Sequence, residues 1–464
     1  MKTVELIKNR IKNARCAVLG FGVSNIPLVE LLVACGNEIT VHDKNDFDKL
    51  NPRAIDFENQ GVKFVTGDGY LDEIDADIIF RSPGIRSDYD GILKAVENGA
   101  ELTSEMELFL ELTPAYVLGV TGSDGKTTTT TISYKLLEKE YENTERKIYV
   151  GGNIGTPLLS KVGEMTKDDI CVLELSSFQL FTMKKSPSRA AITNLSPNHL
   201  DWHRGMDEYV DAKTNIYKFG ATQLTLNGNN ELSKKLLLDD KIKLSLFSAG
   251  YSNENIDESK SVMFIDNGYI CRKDGDEISK ILDIGSILIP GKHNVENYMT
   301  AISLTWGLVS KPTIEYIAKT FGGVEHRLEF VRELDGVKYY NSSIDSSPSR
   351  TAAALSALSQ KPIVICGGYD KQIPFEPLAD ALNERAKAVI LTGATAEKIN
   401  DTLKNSSSQI DIYFEKDFER AINLAKDIAK NNDIILLSPA CASFDSFKNF
   451  MERGNKFKEI VNSF

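Results

Sequence analysis

The stretch that decides the fold of the middle of this chain is Gly119-Val120-Thr121-Gly122-Ser123-Asp124-Gly125-Lys126-Thr127. The apolar run Tyr116-Val117-Leu118 precedes it, and a helix-compatible segment, residues 128–140, follows it. A strand, a glycine-rich turn and a helix in this order suit a nucleoside triphosphate. The glycines allow backbone N–H groups to approach the phosphates, and the helix N-terminus carries partial positive charge. The stretch therefore predicts an ATP site.

Two side chains at the end of this turn have the chemistry that ATP requires. Lys126 can reach the β- and γ-phosphates, and the hydroxyl of Thr127 can bind Mg²⁺. The generic pattern has a further glycine where this chain has Val120, so a glycine turn before an ordinary helix is the alternative interpretation. The predicted ATP-binding residues of the turn are Gly122, Ser123, Asp124, Gly125, Lys126, Thr127 and Thr128.

Length and composition narrow the class of protein. A chain of 464 residues is long enough for about three domains. Its contents of 42% hydrophobic and 26% charged residues are typical of a soluble globular protein. The net charge of −12 argues against a nucleic-acid-binding surface, although a local basic pocket for phosphates is compatible with it.

Cysteine spacing and apolar runs indicate the compartment. The six cysteines have no C-x-x-C spacing and mostly apolar neighbours, which predicts reduced thiols in or near the core. The first residues contain no apolar signal-peptide region, and no apolar run is long enough to span a bilayer. We therefore expect a cytoplasmic protein with no membrane insertion.

The first hundred residues alternate predicted strands and helices. Ala17-Val18-Leu19 leads into Gly20-Phe21-Gly22, and Asp43 ends the next predicted strand about twenty residues later. This spacing is typical of a dinucleotide-binding turn, although Asn25 replaces the third glycine. The loop Ser82-Pro83-Gly84-Ile85 follows the fourth predicted strand, where α/β sheets bind ligands. Alone, the pattern predicts a nucleotide-like ligand at a Rossmann-type sheet edge.

The rest of the chain repeats the alternation. Further strands are predicted at residues 170–173, 190–193, 224–226, 363–366, 388–391 and 433–437. Residues 229–290 are more polar and predict hairpins with turns at 266–268 and 273–275, before a helix over 294–308. The fold class is therefore α/β, built from three successive units, and we expect a ligand cleft between domains.

Candidate chemical residues follow the strands of the middle third. Glu174 directly follows Cys171-Val172-Leu173, where an acid can hold the Mg²⁺ that bridges phosphates; a solvated strand end is the alternative. His199 and His203 lie in a later loop. The sequence has no third or fourth ligand at a spacing typical of a structural zinc site. A histidine near phosphates and Mg²⁺ is therefore the better interpretation, and for His203 a surface residue is the alternative. By spacing alone, Lys213 is typical of an ordinary solvated lysine.

Three later segments offer further contacts. Residues 291–297 open a predicted helix whose N-terminal amides suit a base, a phosphate or a simple cap. Arg327 lies near the start of the last third and could reach a γ-phosphate as charge develops. Residues 438–445 follow the last apolar strand. The small residues of this loop leave room for a compact substrate and offer backbone donors to a carboxylate.

Together these motifs resemble the Mur ligases over nearly the whole chain and in the right order. The family has a shorter turn, T-G-x-x-G-K-[ST], which does not require a glycine at position 120, where this chain has Val120. The loop at 438–443 is similar to that of the members that add D-glutamate. The shared motifs are Gly20-Phe21-Gly22-Val23-Ser24-Asn25, Ser82-Pro83-Gly84-Ile85, Thr121–Thr127, Gly152-Asn153-Ile154-Gly155, Glu174-Leu175-Ser176-Ser177-Phe178-Gln179, His293-Asn294-Val295-Glu296-Asn297, His326-Arg327, and Ser438-Pro439-Ala440-Cys441-Ala442-Ser443 with Phe447-Lys448-Asn449-Phe450.

The resemblance implies a three-domain architecture and a reaction. Residues 1–104 would form a Rossmann-type domain for a UDP sugar, 105–323 a central P-loop ATPase domain, and 324–464 a Rossmann-like domain for the amino acid. The implied reaction joins D-glutamate to UDP-N-acetylmuramoyl-L-alanine through an acyl phosphate, with ATP converted to ADP and phosphate, in peptidoglycan precursor synthesis. We expect a monomer.

The resemblance also implies roles for single residues. Thr127 and Glu174 would hold one Mg²⁺, and Glu174, His199 and Lys213 a second, with Lys213 carbamylated by CO₂. The catalytic residues would be Lys126, Glu174, His199 and Lys213, and Asn297 and Arg327 would contact ATP. The implied substrate-binding residues are Ser24, Asp43, Ser82, Gly84, Asn153, Ser176, Lys371, Ser443, Phe444 and Phe450.

One segment departs from the family pattern. Where these ligases commonly have Asn-Asp-Ser-Lys, this chain has Asn341-Ser342-Ser343-Ile344, so the acid and the lysine are both missing. The ribose and phosphate contacts of this loop are therefore in doubt. Asp345 and Arg350 lie nearby, and our hypothesis is that Asp345 takes the acidic role.

Three other interpretations stay open. A sister amide ligase, such as a folylpolyglutamate synthase or a muramyl ligase for another amino acid, would share the fold and differ in its acceptor. A P-loop regulatory protein with slow hydrolysis would not need the set of Glu174, His199 and Lys213. A dehydrogenase interpretation rests only on Gly20, Gly22 and Asp43.

Overall fold

The structure is a computed structural model that describes residues 2–236, 242–248, 261–406 and 409–464. The chain divides into two compact units. Unit 1 comprises Met1–Asp283 and Glu296–Ile314, and unit 2 comprises Ile284–Val295 and Glu315–Phe464. Each unit is described by itself below. The three predicted domain ranges stay a prediction.

The first sheet belongs to unit 1 and is parallel throughout its described strands. Strands β1 to β5 are Arg15–Leu19, Glu38–Asp43, Lys63–Thr66, Ile78–Arg81 and Glu101–Thr103, in the order β3-β2-β1-β4-β5. Helices α1 to α5 are Lys2–Arg10, Asn25–Cys35, Arg53–Asn59, Asp90–Glu97 and Glu105–Leu112, and a 3₁₀ turn is Phe47–Lys49. The Rossmann-type β-α alternation predicted for this segment is confirmed. Leu19 lies beside both His42 and Arg81, so the loops that follow these strands are neighbours.

The second sheet, also in unit 1, carries the P-loop. Strands β6 to β14 are Tyr116–Thr121, Ile148–Gly152, Ile170–Glu174, Arg189–Ile192, Gln223–Asn227, Lys243–Ser248, Ser261–Asp266, Tyr269–Asp274 and Glu277–Asp283. Their order is β14-β13-β12-β11-β10-β9-β6-β8-β7, with β13 antiparallel to both of its neighbours. Both predicted turns are confirmed. In the first, Asn267 and Gly268 have positive φ values of 46° and 80°, as a two-residue hairpin turn requires.

Helices cover this sheet and lead out of it. Helices α6 to α10 are Lys126–Glu140, Ser177–Leu180, Met206–Lys218, Glu231–Lys234 and Lys292–Leu304, and 3₁₀ turns are Leu159–Glu164 and Ile284–Ser286. Strand β6 lies between β8 and β9, and β7 lies beyond β8, all of them parallel. The carboxyl ends of these four strands therefore meet at one edge. Their apolar runs are buried because helices and neighbouring strands pack on them, as parallel sheets require.

The third sheet forms unit 2. Strands β15 to β20 are Glu329–Leu334, Val337–Asn341, Ile363–Cys366, Ala388–Leu391, Asp411–Phe414 and Ile434–Leu437, in the order β15-β16-β20-β17-β18-β19. Helices α11 to α16 are Lys311–Thr320, Pro348–Ala357, Glu376–Arg385, Ala396–Asn405, Phe418–Ile428 and Phe450–Ser463. Only β15 is antiparallel to its neighbour among these strands. Strand β20 returns to pair with both β16 and β17, which places the loops after β16 and β20 side by side.

The predicted strands all occur, with ends that differ by at most three residues, whereas the helix predicted over 294–308 ends at Leu304. The shorter or more polar elements, such as β5, β7, β19 and helix α1, were not predicted, because they lack a long apolar run. The prediction for the cysteines is confirmed, since all six are buried free thiols. None of the helices in the described part of the chain combines the length and the apolar composition needed for a membrane span.

Candidate active site

Close packing explains the glycines of the P-loop turn, residues 119–127. Gly122 has a φ of +148° and Gly125 one of +77°. A Cβ on Gly122 would lie 1.8 Å from Thr193 Oγ1, and a Cβ on Gly125 would lie 2.4 Å from Asn297 Oδ1. Thr129 Oγ1 also donates to Asn297 Oδ1 at 3.2 Å. The structure thus brings Asn297, predicted to contact ATP, to the turn.

Side chains beneath the turn hold it to the loop that follows β9. The Ser123 hydroxyl donates to the carbonyl of Ser196 at 2.9 Å and pairs with the Tyr209 hydroxyl at 2.9 Å. The amide of Asp124 donates to Asn194 Oδ1 at 2.9 Å. Because Ser123 is buried, its side chain supports the turn from within. Tyr209 had no predicted role, and its contact with Ser123 depends on how helix α8 packs.

The two lysines of the predicted site meet at the same carbonyl. Lys126 Nζ donates to the carbonyls of Gly122 and Ser123 at 3.0 and 2.9 Å. Lys213 Nζ donates to the Gly122 carbonyl at 2.8 Å and lies 4.7 Å from the centre of the Tyr209 ring. Only 1% of Lys213 is exposed, so its interpretation as a solvated lysine is wrong.

The surroundings of Lys213 favour a neutral amine. Burial lowers its pKa well below the ordinary value, and the charge of Lys126 lowers it further. The negative charges of Glu174 and Asp124 act in the opposite direction and raise the pKa, but their effect is smaller. A sequence signal was available, because Tyr209, Ala212, Lys213 and Ile216 follow the spacing of one buried helix face and are all buried.

Glu174 ends β8 as a buried carboxylate with one oxygen unsatisfied. It is 2% exposed, so its interpretation as a solvated strand end is wrong. Asn153 Nδ2 donates to Oε1 at 2.8 Å, whereas Oε2 is buried and has no hydrogen-bond partner among the residues that the structure describes. A buried anionic oxygen without a partner is costly, and a bound cation would satisfy it. The residue therefore fits a ligand of a hard divalent ion.

The backbone around Glu174 fixes this carboxylate closely. The amide of Asn153 donates to the Glu174 carbonyl at 2.7 Å, and a Cβ on Gly152 would lie 2.1 Å from that carbonyl oxygen. Ser176 caps helix α7, because its Oγ accepts from the amide of Gln179 at 3.2 Å. Asn153 and Ser176, both predicted to bind substrate, therefore flank Glu174.

The two histidines differ in their surroundings. His199 is exposed, has a φ of +55° and packs against Phe178 at a ring distance of 4.8 Å. Its pKa is lowered by partial desolvation of the ring and then by the positive charge of Lys126, which favours the neutral form that can bind a metal. His203 is buried and bonds to Ser177 Oγ at 3.0 Å, so its interpretation as a surface residue is wrong.

Four of the residues predicted to bind substrate, Ser24, Asp43, Ser82 and Gly84, lie in one loop cluster of unit 1. Asn25 Nδ2 donates to the Gly20 carbonyl and to Ser82 Oγ, both at 2.9 Å. Asp43 Oδ2 accepts from the amide of Phe21 at 2.7 Å. Asn25 therefore links two loops through its side chain, which gives a reason for an amide at the position of the third glycine. Ser24 and Gly84 are exposed beside this cluster.

Two arginines that were not predicted join this cluster to the P-loop sheet. Arg81 is 1% exposed, and its guanidinium donates to the carbonyl of Ile85 at 2.6 Å and to that of Phe178 at 2.7 Å. Arg86 pairs with Glu208 at 2.8 Å and donates to the Trp202 carbonyl at 2.7 Å. The sequence could have indicated a role for Arg81, because this charged residue ends an apolar strand and directly precedes a predicted ligand-binding loop.

In unit 2, the predicted amino-acid residues lie around the loop that follows β20. Ser443 is buried and Phe444 is 64% exposed. The amide of Tyr369 donates to the Ala442 carbonyl at 2.9 Å, which brings the segment of Lys371 beside this loop. Lys371 is exposed and donates to Ser346 Oγ at 3.1 Å. Phe450 begins helix α16, and its carbonyl accepts from Ser343 Oγ at 2.8 Å. Arg327 is also exposed.

Comparisons with known proteins identify the family. Residues 120–305 match the family model of the Mur ligase middle domain, and residues 326–441 match that of the Mur ligase glutamate ligase domain. The chain is 48% identical to the UDP-N-acetylmuramoylalanine–D-glutamate ligase of Clostridium novyi, over 100% of this chain and 99% of the relative. It is 47% identical to the protein of that name from Ruminiclostridium cellulolyticum, over 99% of both.

The chain belongs to the Mur ligase family. Two solved structures agree with its fold. The alanine ligase MurC of Thermotoga maritima has a TM-score of 0.52 and 17% identity, covering 97% of this chain and 99% of that one. MurF of the same organism, solved with ADP, has a TM-score of 0.52 and 17% identity over 92% and 95%. The predicted three-domain Mur ligase architecture is confirmed, and the dehydrogenase interpretation is wrong.

The segment that departs from the usual Mur ligase pattern is held by hydrogen bonds within unit 2. Asn341 Nδ2 lies 3.0 Å from His326 Nδ1 and donates to Glu329 Oε2 at 2.9 Å. Ser342 Oγ accepts from the amide of Leu328 at 3.0 Å. Asp345 is 6% exposed, and its Oδ2 accepts from Ser438 Oγ at 2.8 Å. The acid at 345 therefore faces the start of the β20 loop.

The stability of this Mur ligase should depend on pH through Asp345. Burial raises the pKa of this carboxyl to about 6, from an ordinary value of 3.8. Between these values the folded protein binds the proton more tightly than the unfolded chain, so the carboxyl destabilises the fold increasingly as pH rises through this window. Asp345→Asn cannot ionise. We expect a stability gain that is small at pH 4 and reaches about 1–3 kcal/mol above pH 6.

Thermal unfolding midpoints of both proteins at pH 4 and 7.5 measure this effect. Asp370 supplies a control of opposite sign, because its hydrogen bond with Lys398 lowers its pKa and makes the ionised form stabilising. Asp370→Asn should therefore be less stable than the parent at pH 7.5. A difference between Asp345→Asn and the parent that is the same at both pH values would contradict the prediction.

Proposed function

We propose that this Mur ligase joins D-glutamate to UDP-N-acetylmuramoyl-L-alanine at the expense of ATP. The observation that carries the proposal is the similarity, over 98–100% of this chain, to relatives that carry the name of this activity, at 45–48% identity. A buried P-loop site with lysine and carboxylate side chains supports it. We further propose that the protein acts in the cytoplasm as a monomer, without nucleic acid and without membrane insertion.

The proposed reaction has two steps. The alanyl carboxylate of the UDP-sugar attacks the γ-phosphorus, and the bond from that phosphorus to the β-phosphate oxygen breaks. ADP departs, and an acyl phosphate is formed. The amine of D-glutamate then attacks the acyl carbon, phosphate leaves, and the amine loses its proton. Because a carboxylate and a triphosphate repel each other, Lys126 and the N-terminus of helix α6 contribute by offsetting negative charge.

The chain's own side chains suggest where Mg²⁺ would bind. We propose Thr127 and Glu174 for one ion, and Glu174, His199 and Lys213 for a second. The unpartnered Oε2 of Glu174 supports this assignment. When bound, Mg²⁺ supplies positive charge that stabilises the phosphates. Among the described residues, no group of three or more His, Cys, Asp or Glu side chains could hold a metal ion. The proposed ligands accordingly include Thr127 and Lys213.

A carbamate on Lys213 would supply such oxygen ligands. A neutral amine attacks CO₂, forms an N–C bond and releases one proton, which converts the neutral amine into an anionic N-carboxylate. The lowered pKa of Lys213 favours the neutral amine that this reaction needs. Hard divalent cations prefer oxygen ligands, which an ammonium group cannot provide.

Substrate contacts are proposed for three groups of residues. Asn297 and Arg327 would contact ATP, together with the P-loop turn. The UDP-sugar would bind at Ser24, Asp43, Ser82, Gly84, Asn153 and Ser176, and D-glutamate at Lys371, Ser443, Phe444 and Phe450. Asp345 is proposed to take the acidic role missing from its loop, and a normal KM for ATP in Asp345→Ala would contradict that assignment.

Phosphate release tests the function directly. The purified protein is given ATP, Mg²⁺ and UDP-N-acetylmuramoyl-L-alanine, with D-glutamate, L-glutamate or no amino acid. We expect release that depends on D-glutamate, together with a UDP-linked dipeptide of the correct mass. Release without amino-acid dependence would favour a regulatory ATPase. Dependence on another acceptor would favour a sister ligase with the same mechanism.

A further inference from the structure

A buried arginine joins the two substrate-side loops of unit 2. These are the β16 loop, residues 341–345, and the β20 loop, residues 438–443. Arg453 lies in the first turn of helix α16 and is 3% exposed. Its Nε donates to Ser343 Oγ at 3.0 Å, and its Nη2 donates to the Ser343 carbonyl at 2.9 Å. One edge of the guanidinium is therefore bound to the β16 loop.

The same guanidinium also binds the β20 loop. Nη1 donates to the carbonyl of Ala442 and Nη2 to that of Cys441, each at 3.1 Å. The β16 and β20 strands are parallel neighbours, and their pairing extends into the β16 loop, where the Ser342 amide donates to the Leu437 carbonyl at 2.7 Å. Beyond that point side chains join the two loops, through the Ser438–Asp345 hydrogen bond and through Arg453. The planar guanidinium of arginine carries donors in several directions and can bridge both loops at once. A lysine ammonium has all its donors on one nitrogen and cannot reach both loops in the same way.

The bound carbonyls also set the direction of the neighbouring amides. In a trans peptide the C=O and the next N–H point in opposite directions, and no cis bond occurs among the described residues. Since the carbonyls of Cys441 and Ala442 point to Arg453, the amides of Ala442 and Ser443 point away from it. Because Ala442 also forms an antiparallel bridge with Tyr369, the Ser443 amide is the donor of the two that suits a carboxylate.

Close packing leaves the guanidinium little freedom to move. A Cβ on Gly368 would lie 2.3 Å from the Ala442 carbonyl oxygen and 3.1 Å from Arg453 Nη1. A Cβ on the adjacent Gly454 would lie 2.2 Å from His326 Nδ1. Among the described residues Arg453 has no carboxylate within ion-pair distance, and its charge is held by carbonyl and hydroxyl oxygens. The positive charge of the buried Arg453 guanidinium therefore lies next to the β20 loop without a carboxylate to neutralise it in the described part of the chain.

We propose that Arg453 is the positioning residue that holds the β20 loop in the geometry that binds a carboxylate of the incoming amino acid. This inference rests on the proposed function. Arg453 acts through the loop carbonyls and through its uncompensated positive charge, so it affects the amino-acid substrate more than ATP or the UDP-sugar. Ser343 is its partner on the β16 loop, and Ser343 also donates to the carbonyl of Phe450.

Steady-state kinetics with each substrate varied in turn test the proposal. In Arg453→Lys, which keeps the charge but not the fork, we expect the KM for D-glutamate to rise at least tenfold. The KM values for ATP and UDP-N-acetylmuramoyl-L-alanine should change less than twofold. Ser343→Ala removes one hydrogen-bond acceptor of Arg453 and leaves the arginine in place, so the KM for D-glutamate should rise by a smaller factor. The KM values for ATP and UDP-N-acetylmuramoyl-L-alanine should again change less than twofold.

Arg332 supplies the matched control. Its guanidinium also donates to backbone carbonyls of unit 2, those of Val461 and Asn462 at 3.2 and 3.4 Å, but away from both loops. Arg332→Lys should leave all three KM values unchanged. If Arg453→Lys and Ser343→Ala lower kcat alone, or raise all three KM values together, the arginine is merely structural and the proposal fails. Failure of the parent protein to require D-glutamate would instead overturn the proposed function.

Discussion

Lys213→Ala is expected to lower the rate of D-glutamate-dependent phosphate release by at least about 100-fold, the size of effect seen when one preorganised electrostatic group is lost. The side chain is 1% exposed and lies between the Gly122 carbonyl and the Tyr209 ring. If Lys213 acts as a carbamate, the variant lacks an oxygen ligand that a small molecule can supply. Bicarbonate or short carboxylic acids should then restore part of the activity.

Lys218→Ala is the matched control for this prediction. Lys218 ends the same helix, is exposed and pairs with Asp211, so its loss should leave the rate within twofold of the parent. Thermal unfolding of both variants shows whether the fold is kept. Full activity of Lys213→Ala would contradict the role of this lysine. Loss of activity with no rescue by any carboxylic acid would contradict the carbamate, but it would still support a role for Lys213 in the reaction.

Glu174→Gln should reduce the same rate by about 100- to 1,000-fold, because an amide cannot replace a carboxylate oxygen as a ligand of Mg²⁺. The change is nearly isosteric. Asn153 Nδ2 can still donate to the oxygen of the new side chain, and a buried anionic oxygen without a partner is removed. The thermal midpoint without Mg²⁺ should therefore stay within about 3 °C of the parent.

The decisive readout for Glu174 is the response to the ion. Adding Mg²⁺ and ADP should raise the thermal midpoint of the parent, and that increase should shrink in Glu174→Gln. Glu105→Gln is the control, because Glu105 is another buried carboxylate of unit 1 with an unpartnered oxygen but lies on helix α5, outside the proposed site. Equal increases in the parent and in Glu174→Gln would exclude Glu174 as a metal ligand.

Local sequence was sufficient for the elements that carry the site. The P-loop turn was predictable because its glycines, its lysine and the flanking apolar run lie within about a dozen residues, and the backbone conformation there depends on those residues. Glu174 and the β20 loop were predictable for a similar reason. Each directly follows an apolar run long enough to be a buried parallel strand, and such strands end where ligands bind.

The sequence by itself thus determined the succession of strands and helices and the glycine-rich turn of the P-loop, because these depend on neighbours along the chain. Only the tertiary structure decided which of them meet. Strand order placed β6 beside β8 and β20 beside β16. Helix packing buried Lys213, and Arg81 and Arg453 found carbonyl partners about 100 residues away along the chain. Burial and long-range pairing depend on packing between distant segments, so the spacing of residues does not show them.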